Sequence, residues 1–101
     1  MKEFKNLRAE NYEEFIQNSK PFVLDVRTPA EYSQCHLPNS VLIPLDQLQS
    51  SLHKIPEDRP ILVYCAHGIR SVYAAEFLIQ EGFEDVTNLS GGIVTVIKTE
   101  A

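Results

Sequence analysis

One stretch decides the fold: residues 61–71, which read ILVYCAHGIRS. It begins as an apolar run rich in strand-forming residues, typical of a buried strand, and reaches Cys65. A short loop follows, and residues 71–79 then have the composition of an amphipathic helix. The pattern predicts a strand that delivers Cys65 to its carboxyl end, where a loop leads into a helix.

The residues after Cys65 are suited to holding a sulfur anion. Loop amides and the positive end of a helix dipole lower a cysteine pKa from about 8.5 into a range of roughly 3.5 to 7.5. Gly68 permits a positive φ or a close backbone approach, and Arg70 supplies a fixed positive charge. Ser71 is a candidate N-cap of the helix. We therefore predict a reactive thiolate at Cys65.

Four stretches, in this order and spacing, resemble the motifs of single-domain rhodaneses, which are thiosulfate and persulfide sulfurtransferases. They are residues 25–32 (DVRTPAEY), residues 36–44 (HLPNSVLIP), the Cys65-x-x-Gly68-x-Arg70-Ser71 loop and residues 89–93 (LSGGI). The resemblance runs from about Asn6 to Ile97. One such loop alone would be a weak signal, whereas four ordered motifs are specific.

The resemblance implies that Cys65 takes up sulfane sulfur as a persulfide, with no other cofactor, and passes it to a nucleophilic acceptor. It implies a three-layer α/β domain over residues 1–101, with a mostly parallel five-stranded sheet and helices on both faces. It places five loop amides around the sulfur, those of Ala66, His67, Gly68, Ile69 and Arg70. Related phosphatases on this fold use a loop one residue longer, so the loop length here favours sulfur over phosphate.

Two charged residues of the first motif are candidates for supporting roles. Asp25 interrupts the apolar run at residues 22–26, and we expect it to accept hydrogen bonds from loop amides or from a side chain near the cysteine loop, with a direct role in proton transfer as the alternative. Arg27 and Glu31 are four residues apart, which predicts an ion pair, with anion attraction by Arg27 as the alternative.

Two histidines and two tyrosines lie close to the motifs. We expect His36 to pin its turn by hydrogen bonding rather than act as a general base. His67 is expected to face solvent, with anion binding or proton transfer near neutral pH as the alternative. Tyr64 and Tyr73 flank the loop, and core packing explains both.

The sequence departs from the family pattern at two positions. Cys35 stands where the family usually has glycine, which predicts strain or a local shift if that glycine had a positive φ. Val96 stands where an aromatic residue is common, which predicts a smaller core residue or a reshaped wall beside the site. A Cys35–Cys65 disulfide is not expected in a reducing compartment, although Cys35 has a possible resolving role. The cysteine and histidine spacing does not match a zinc site.

The rest of the chain alternates between strand and helix patterns, which indicates an α/β fold with a largely parallel sheet. Predicted strands cover residues 4–7, 22–26, 41–43, 61–65 and 83–89, and predicted helices cover residues 11–18, 45–52 and 71–79, with a last segment at 93–97. No linker or repeat divides the chain, so one domain is expected.

Composition excludes several classes of function. The chain has 101 residues, 44% of them hydrophobic, enough for the core of one domain. Its formal net charge of −5 argues against nucleic-acid binding. No apolar run approaches the roughly 20 residues of a membrane span, and the first residues do not resemble a signal peptide. We expect a cytoplasmic protein that is a monomer or weak dimer.

The sequence therefore predicts a sulfurtransferase. It would move sulfur from a small anionic donor, thiosulfate or a persulfide, through Cys65 to cyanide, a thiol or a sulfur-relay protein. One alternative is a non-catalytic module of the same fold that docks a partner protein, but the intact Cys65 and Arg70 weigh against it. A cysteine phosphatase or arsenate reductase is the other alternative, and the loop length weighs against it.

Overall fold

The computed structural model describes residues 3–100 of the chain, and the side chains of residues 3–97. Within this part, five strands form one parallel sheet in the order β1-β5-β4-β2-β3. The strands are β1 (Lys5–Leu7), β2 (Phe22–Asp25), β3 (Val41–Leu42), β4 (Ile61–Tyr64) and β5 (Val86–Leu89). The predicted sheet is confirmed, with β4 at its centre and β1 at one edge.

Helical segments connect the strands. The α-helices are α1 (Tyr12–Ser19), α2 (Pro29–Gln34), α3 (Ile69–Gln80) and α4 (Ile93–Glu100). Short 3₁₀ segments cover Ala9–Asn11, Leu45–Gln47 and Gln49–Lys54. Across residues 3–100, no helix has both the length and the apolar character needed to cross a bilayer.

The sheet has a hydrophobic core on each face, because side chains of a strand point alternately to its two sides. Ile61, Val63 and Cys65 belong to one core, and Leu62 and Tyr64 belong to the other. Helix α3 packs into the first core, whereas α1 and α4 pack into the second. The predicted α/β fold with helices on both faces is therefore confirmed.

The helix after Cys65 begins two residues earlier than predicted. Gly68 occupies its N-cap position with φ 94°, a left-handed conformation that glycine adopts without steric cost. Ser71 therefore lies inside the first turn of α3 and is not the N-cap, so that prediction is wrong.

Two other predicted elements differ in the structure. The helix predicted at residues 45–52 is divided into 3₁₀ segments, and the spacing of three between Leu45 and Leu48 fits a helix with three residues per turn. The last strand begins at Val86 rather than at Phe83. The Phe83 amide instead donates to the Leu78 carbonyl at 3.0 Å, so Phe83 contributes to the C-terminal cap of α3.

Candidate active site

Cys65 directly follows the central strand β4, and three loop residues separate it from α3. Asp25 ends the adjacent strand β2, where it is in register with Tyr64. Because parallel strands end at the same edge of a sheet, Cys65 and Asp25 lie at one carboxyl edge.

The sulfur of Cys65 is surrounded by hydrogen-bond donors. The amides of Gly68 and Ser71 donate to Sγ at 3.1 and 3.3 Å, and the Ser71 hydroxyl oxygen lies 3.3 Å from Sγ. Burial alone raises the pKa of the Cys65 thiol, but hydrogen bonds from Ser71, Gly68 and the His67 amide outweigh it and hold the pKa below its ordinary value. The side chain is only 1% exposed. The thiolate is thus stabilised by uncharged donors in a buried position.

The predicted ring of five amides is only partly present. Within the described part of the chain, the amides that contact Sγ come from His67, Gly68 and Ser71. Among the described residues, no hydrogen bond joins the amide of Ala66, Ile69 or Arg70 to Sγ. Ser71 makes more contacts with Sγ than any other residue, a role that the N-cap interpretation missed.

The start of α4 sets the orientation of the loop. The amides of Ile93 and Val94 donate to the carbonyls of Cys65 and Ala66 at 2.9 and 3.4 Å. These bonds direct the loop carbonyls toward α4, which leaves the following amides free to face the sulfur.

Gly92 and Gly68 let the start of α4 approach the loop this closely. Gly91 and Gly92 have φ values of 78° and 77°. A Cβ on Gly92 would collide with the carbonyl of Ala66 and the amide nitrogen of His67, and a Cβ on Gly68 would lie 2.9 Å from the nitrogen of Gly91. In the sequence, residues 91 and 92 are recognised only as part of the LSGGI motif. Their adjacency just before a helix was the available signal for this packing role.

We expect Gly92→Ala to lower the free energy of unfolding by about 2 kcal/mol or more, since it adds both backbone strain and a collision with the loop. Gly82→Ala is the matched control, because Gly82 has φ 99° but no atom within 4 Å of an added Cβ. Chemical denaturation of both variants measures the difference. Equal losses would show that Gly92 is not needed for close packing against the loop.

Arg70 is paired with a carboxylate. Its two terminal nitrogens donate to the two carboxylate oxygens of Glu31 at 2.8 and 2.9 Å. Glu31 also accepts from the Thr28 amide and hydroxyl at 3.0 and 3.1 Å, which completes a capping box at the start of α2. The Arg70 hydrogen bond is the main cause that lowers the pKa of Glu31 to about 2.

The predicted Arg27–Glu31 ion pair is therefore wrong. Arg27 precedes the N-cap residue Thr28 and lies outside α2, so the spacing of four does not place it beside Glu31. Its guanidinium instead donates to Asp25, the shortest distance being 2.7 Å, and to the Cys35 carbonyl at 2.7 Å.

Asp25 is the centre of a buried polar network. Besides Arg27, the Tyr64 hydroxyl donates to Asp25 Oδ2 at 2.8 Å. The same hydroxyl accepts from the Leu37 amide at 3.1 Å and lies 3.1 Å from Ser40 Oγ. Asp25 and Arg27 are 0% and 4% exposed, so each needs the other to compensate its charge. Asp25 accepts side-chain hydrogen bonds next to the cysteine strand, as expected.

Tyr64 and Tyr73, which flank the loop, differ in their exposure to solvent. Tyr64 is fully buried and links β4 to the turn at residues 37–40, so packing alone does not account for it. Burial raises the pKa of Tyr64 well above its usual value, which keeps the hydroxyl a donor to Asp25. Tyr73 is 63% exposed, so the prediction that it packs in the core is wrong.

His36 contacts Tyr32, and Cys35 before it has an ordinary backbone conformation. His36 Nδ1 lies 2.8 Å from the Tyr32 carbonyl oxygen, and its ring stacks on the Tyr32 ring with centroids 3.8 Å apart. The expected structural hydrogen bond of His36 is confirmed. Cys35 has φ −166°, which is ordinary extended backbone, so the expected strain is absent there.

Cys35 and Cys65 are both free thiols, the first exposed and the second buried. His67 is exposed, as expected, and contributes to the site through its amide. In the described residues, no group of three or more histidine, cysteine or acidic side chains is placed to hold a metal ion.

Val96 lies in the core between α4 and the sheet and is 2% exposed. It lines a groove of about 730 Å³ beside α1 and α4, together with Cys35 and His36. None of residues 65–71 lines this groove. Val96 is therefore a small core residue, as one of the two expectations for this position had it.

Known proteins with similar sequences include a rhodanese-like domain family and proteins named as sulfurtransferases. Residues 8–99 match the model of the rhodanese-like domain family. A protein named sulfurtransferase from Allochromatium vinosum is 39% identical over 72 residues, which are 71% of this chain and 67% of that protein. The thiosulfate sulfurtransferase GlpE of Coxiella burnetii is 34% identical over 82 residues, 81% of this chain and 77% of that protein.

A solved structure shows the same fold. The crystal structure of a rhodanese-related protein from Thermoplasma volcanium has a TM-score of 0.86 and 35% identity, and covers 94% of this chain and 92% of that one. The family match and these relatives confirm the resemblance found in the four sequence motifs. The chain belongs to the rhodanese-like domain family.

Proposed function

We propose that this protein is a sulfurtransferase in which Cys65 carries sulfane sulfur as a persulfide. The main support is the set of donors from Gly68 and Ser71 that contact Sγ and lower the pKa of the thiol. The thiolate is the form of cysteine that attacks sulfur. The relatives named sulfurtransferase and thiosulfate sulfurtransferase support the same class of reaction.

The proposed reaction has two steps. First, the Cys65 thiolate attacks the outer sulfur of thiosulfate or of a persulfide. A bond forms between Sγ and that sulfur while the sulfur–sulfur bond of the donor breaks, and sulfite or a thiolate leaves with the electron pair. Second, cyanide or a thiolate attacks the outer sulfur, the new bond on Cys65 breaks, and the Cys65 thiolate is restored.

The loop residues have separate roles in this proposal. His67, Gly68 and Ser71 stabilise the negative charge on Sγ before the first step and after the second. Asp25 and Arg27 brace the neighbouring turn, since their network reaches Tyr64 and the Cys35 carbonyl. The acceptor is cyanide, a small thiol or a sulfur-relay protein, and no cofactor besides the persulfide takes part.

Transfer of sulfur to cyanide tests the proposal. The protein is mixed with thiosulfate, or with a small persulfide, and with cyanide, and the formation of thiocyanate is followed. We expect turnover well above the uncatalysed rate with at least one of these donors. A rate equal to the uncatalysed rate with both donors would contradict the proposal and would favour a module that only docks a partner.

The pH dependence of the thiolate tests the role of Ser71. Ser71→Ala removes a hydroxyl that favours the charged form, so the pKa of Cys65 is expected to rise toward its ordinary value. The thiolate then forms at a higher pH than in the parent protein. Ultraviolet thiolate absorbance, measured in a Cys35→Ser background so that one thiol titrates, records this shift.

The exposed Ser50 provides the control for that titration. Ser50→Ala removes a hydroxyl that donates to the Gln47 carbonyl at 3.1 Å on the surface. It is expected to leave the titration of Cys65 unchanged. If Ser71→Ala also leaves it unchanged, the Ser71 hydroxyl does not stabilise the thiolate.

A further inference from the structure

Both arginines beside the cysteine loop are paired with carboxylates. Arg70 makes its two-fold contact with Glu31 at 2.8 and 2.9 Å, and Arg27 contacts Asp25 at 2.7 Å. The donors to Sγ, in contrast, are uncharged amides and one hydroxyl. The positive charge near the sulfur is therefore balanced by carboxylates before any sulfur donor arrives.

Glu31 is fixed in the position that pairs with Arg70. The Thr28 amide and hydroxyl donate to the same carboxylate, and the Glu31 amide donates back to Thr28 Oγ1 at 3.2 Å. Pro29 at the first position of α2 restricts the backbone of this turn further. A donor that is to bind Arg70 must therefore compete with a carboxylate that is already well oriented.

The pair is partly accessible from solvent. The side chains of Arg70 and Glu31 are 36% and 30% exposed, whereas those of Arg27 and Asp25 are 4% and 0% exposed. Of the two pairs, the Arg70–Glu31 pair is thus the one whose charge an incoming donor can sense. Solvent screens its effect, so a change of moderate size is expected rather than a large one.

We infer that Glu31 determines donor specificity by neutralising Arg70, so that the site favours persulfides over thiosulfate. This inference rests on the proposed sulfurtransferase function. Thiosulfate brings two negative charges to a pocket that already holds a thiolate, whereas a persulfide group brings one charge or none. Glu31 acts through Arg70 and is a positioning residue.

The test compares two donors that differ by one charge. Thiosulfate carries two negative charges and benzenethiosulfonate carries one. Each donor gives up its terminal sulfur, and the remainder leaves as sulfite or as benzenesulfinate, respectively. We expect Glu31→Gln to raise kcat/KM for thiosulfate about tenfold relative to kcat/KM for benzenethiosulfonate, since a freed Arg70 attracts the dianion more strongly. Transfer to cyanide is the readout for both donors.

Two further variants control for net charge and for the partner. Glu14→Gln removes one negative charge from an exposed position on α1 and is expected to leave the donor ratio unchanged. Arg70→Gln, which leaves Glu31 in place, is expected to lower the use of thiosulfate more than the use of benzenethiosulfonate. In the double variant, Arg70→Gln is expected to abolish the relative gain in kcat/KM for thiosulfate that Glu31→Gln alone produces.

Failure of this inference can be distinguished from failure of the proposed function. If Glu31→Gln and Arg70→Gln both leave the donor ratio unchanged, or lower both donors equally, Glu31 is a structural support and the inference is wrong. In that outcome the transfer reaction itself still stands. If the parent protein transfers sulfur from neither donor but does so from a small persulfide, the inference fails and the proposed function stands, because benzenethiosulfonate carries no more negative charge than a persulfide. If transfer from the small persulfide fails as well, the proposed function fails, and the inference fails with it.

Discussion

Cys65→Ser is expected to lower the rate of sulfur transfer at least about a thousandfold. A serine hydroxyl stays protonated at neutral pH and does not form the sulfur–sulfur bond that the reaction requires. Serine is close to cysteine in size and fits the same donors, so the fold is expected to persist. Thiocyanate formation from thiosulfate and from a persulfide donor, measured under the same conditions as for the parent protein, gives the comparison.

Cys35→Ser is the matched control for this experiment. Cys35 is exposed at the end of α2, whereas Cys65 is buried among the loop donors. The control variant is expected to transfer sulfur at the rate of the parent protein. Loss of transfer in Cys35→Ser would support the resolving role instead, and retained transfer in Cys65→Ser would contradict the proposed reaction.

Asp25→Asn is expected to lower the free energy of unfolding by about 3 to 5 kcal/mol. The change leaves the Arg27 guanidinium, 4% exposed, without a compensating charge. It also replaces the carboxylate that accepts from the Tyr64 hydroxyl at 2.8 Å. Urea denaturation of the variant and of the parent protein measures the loss.

An exposed ion pair gives the control. Lys5 and Asp85 are 3.1 Å apart, and their side chains are 66% and 47% exposed. Asp85→Asn removes one carboxylate oxygen, as Asp25→Asn does, but in a position where solvent compensates the partner. It is expected to cost less than about 1 kcal/mol. Similar losses in the two variants would show that the buried network does not stabilise the fold as described.

The fold was predictable because the decisive signals are local. An apolar run, a glycine and an amphipathic segment at residues 61–79 predict a strand, a loop and a helix wherever the chain places them. The same kind of signal placed Asp25 in a strand, the apolar run at residues 22–26. The parallel sheet then brings the ends of β2 and β4 to one edge.

The charge pairs were not predictable because they depend on contacts between distant parts of the chain. The rule for residues four apart favoured Arg27–Glu31, but the partner of Glu31 is Arg70, 39 residues away. Tyr64 and Asp25 are also 39 residues apart. The pairing of each carboxylate with its cation is decided only when the sheet brings the loops together.

The sequence predicted the type of group that contacts the sulfur, but not the full set of residues that provide it. The sequence predicted loop amides around Cys65, and the structure has two of them, those of His67 and Gly68, together with the amide of Ser71 in α3. It assigned Ser71 to the N-cap, because a serine before an apolar helix is the usual cap signal. Gly68 takes that position through its left-handed backbone, and this shift brings the Ser71 amide and hydroxyl to the sulfur.

The most direct test of a sulfur-carrying Cys65 is the mass of the protein after exposure to thiosulfate or a small persulfide. We predict a gain of one sulfur atom on the peptide that contains Cys65, and loss of that sulfur when cyanide is added. The Cys65→Ser variant, which retains Cys35, is predicted to gain none. An unmodified Cys65 with both donors, or sulfur found on Cys35 alone, would contradict the account.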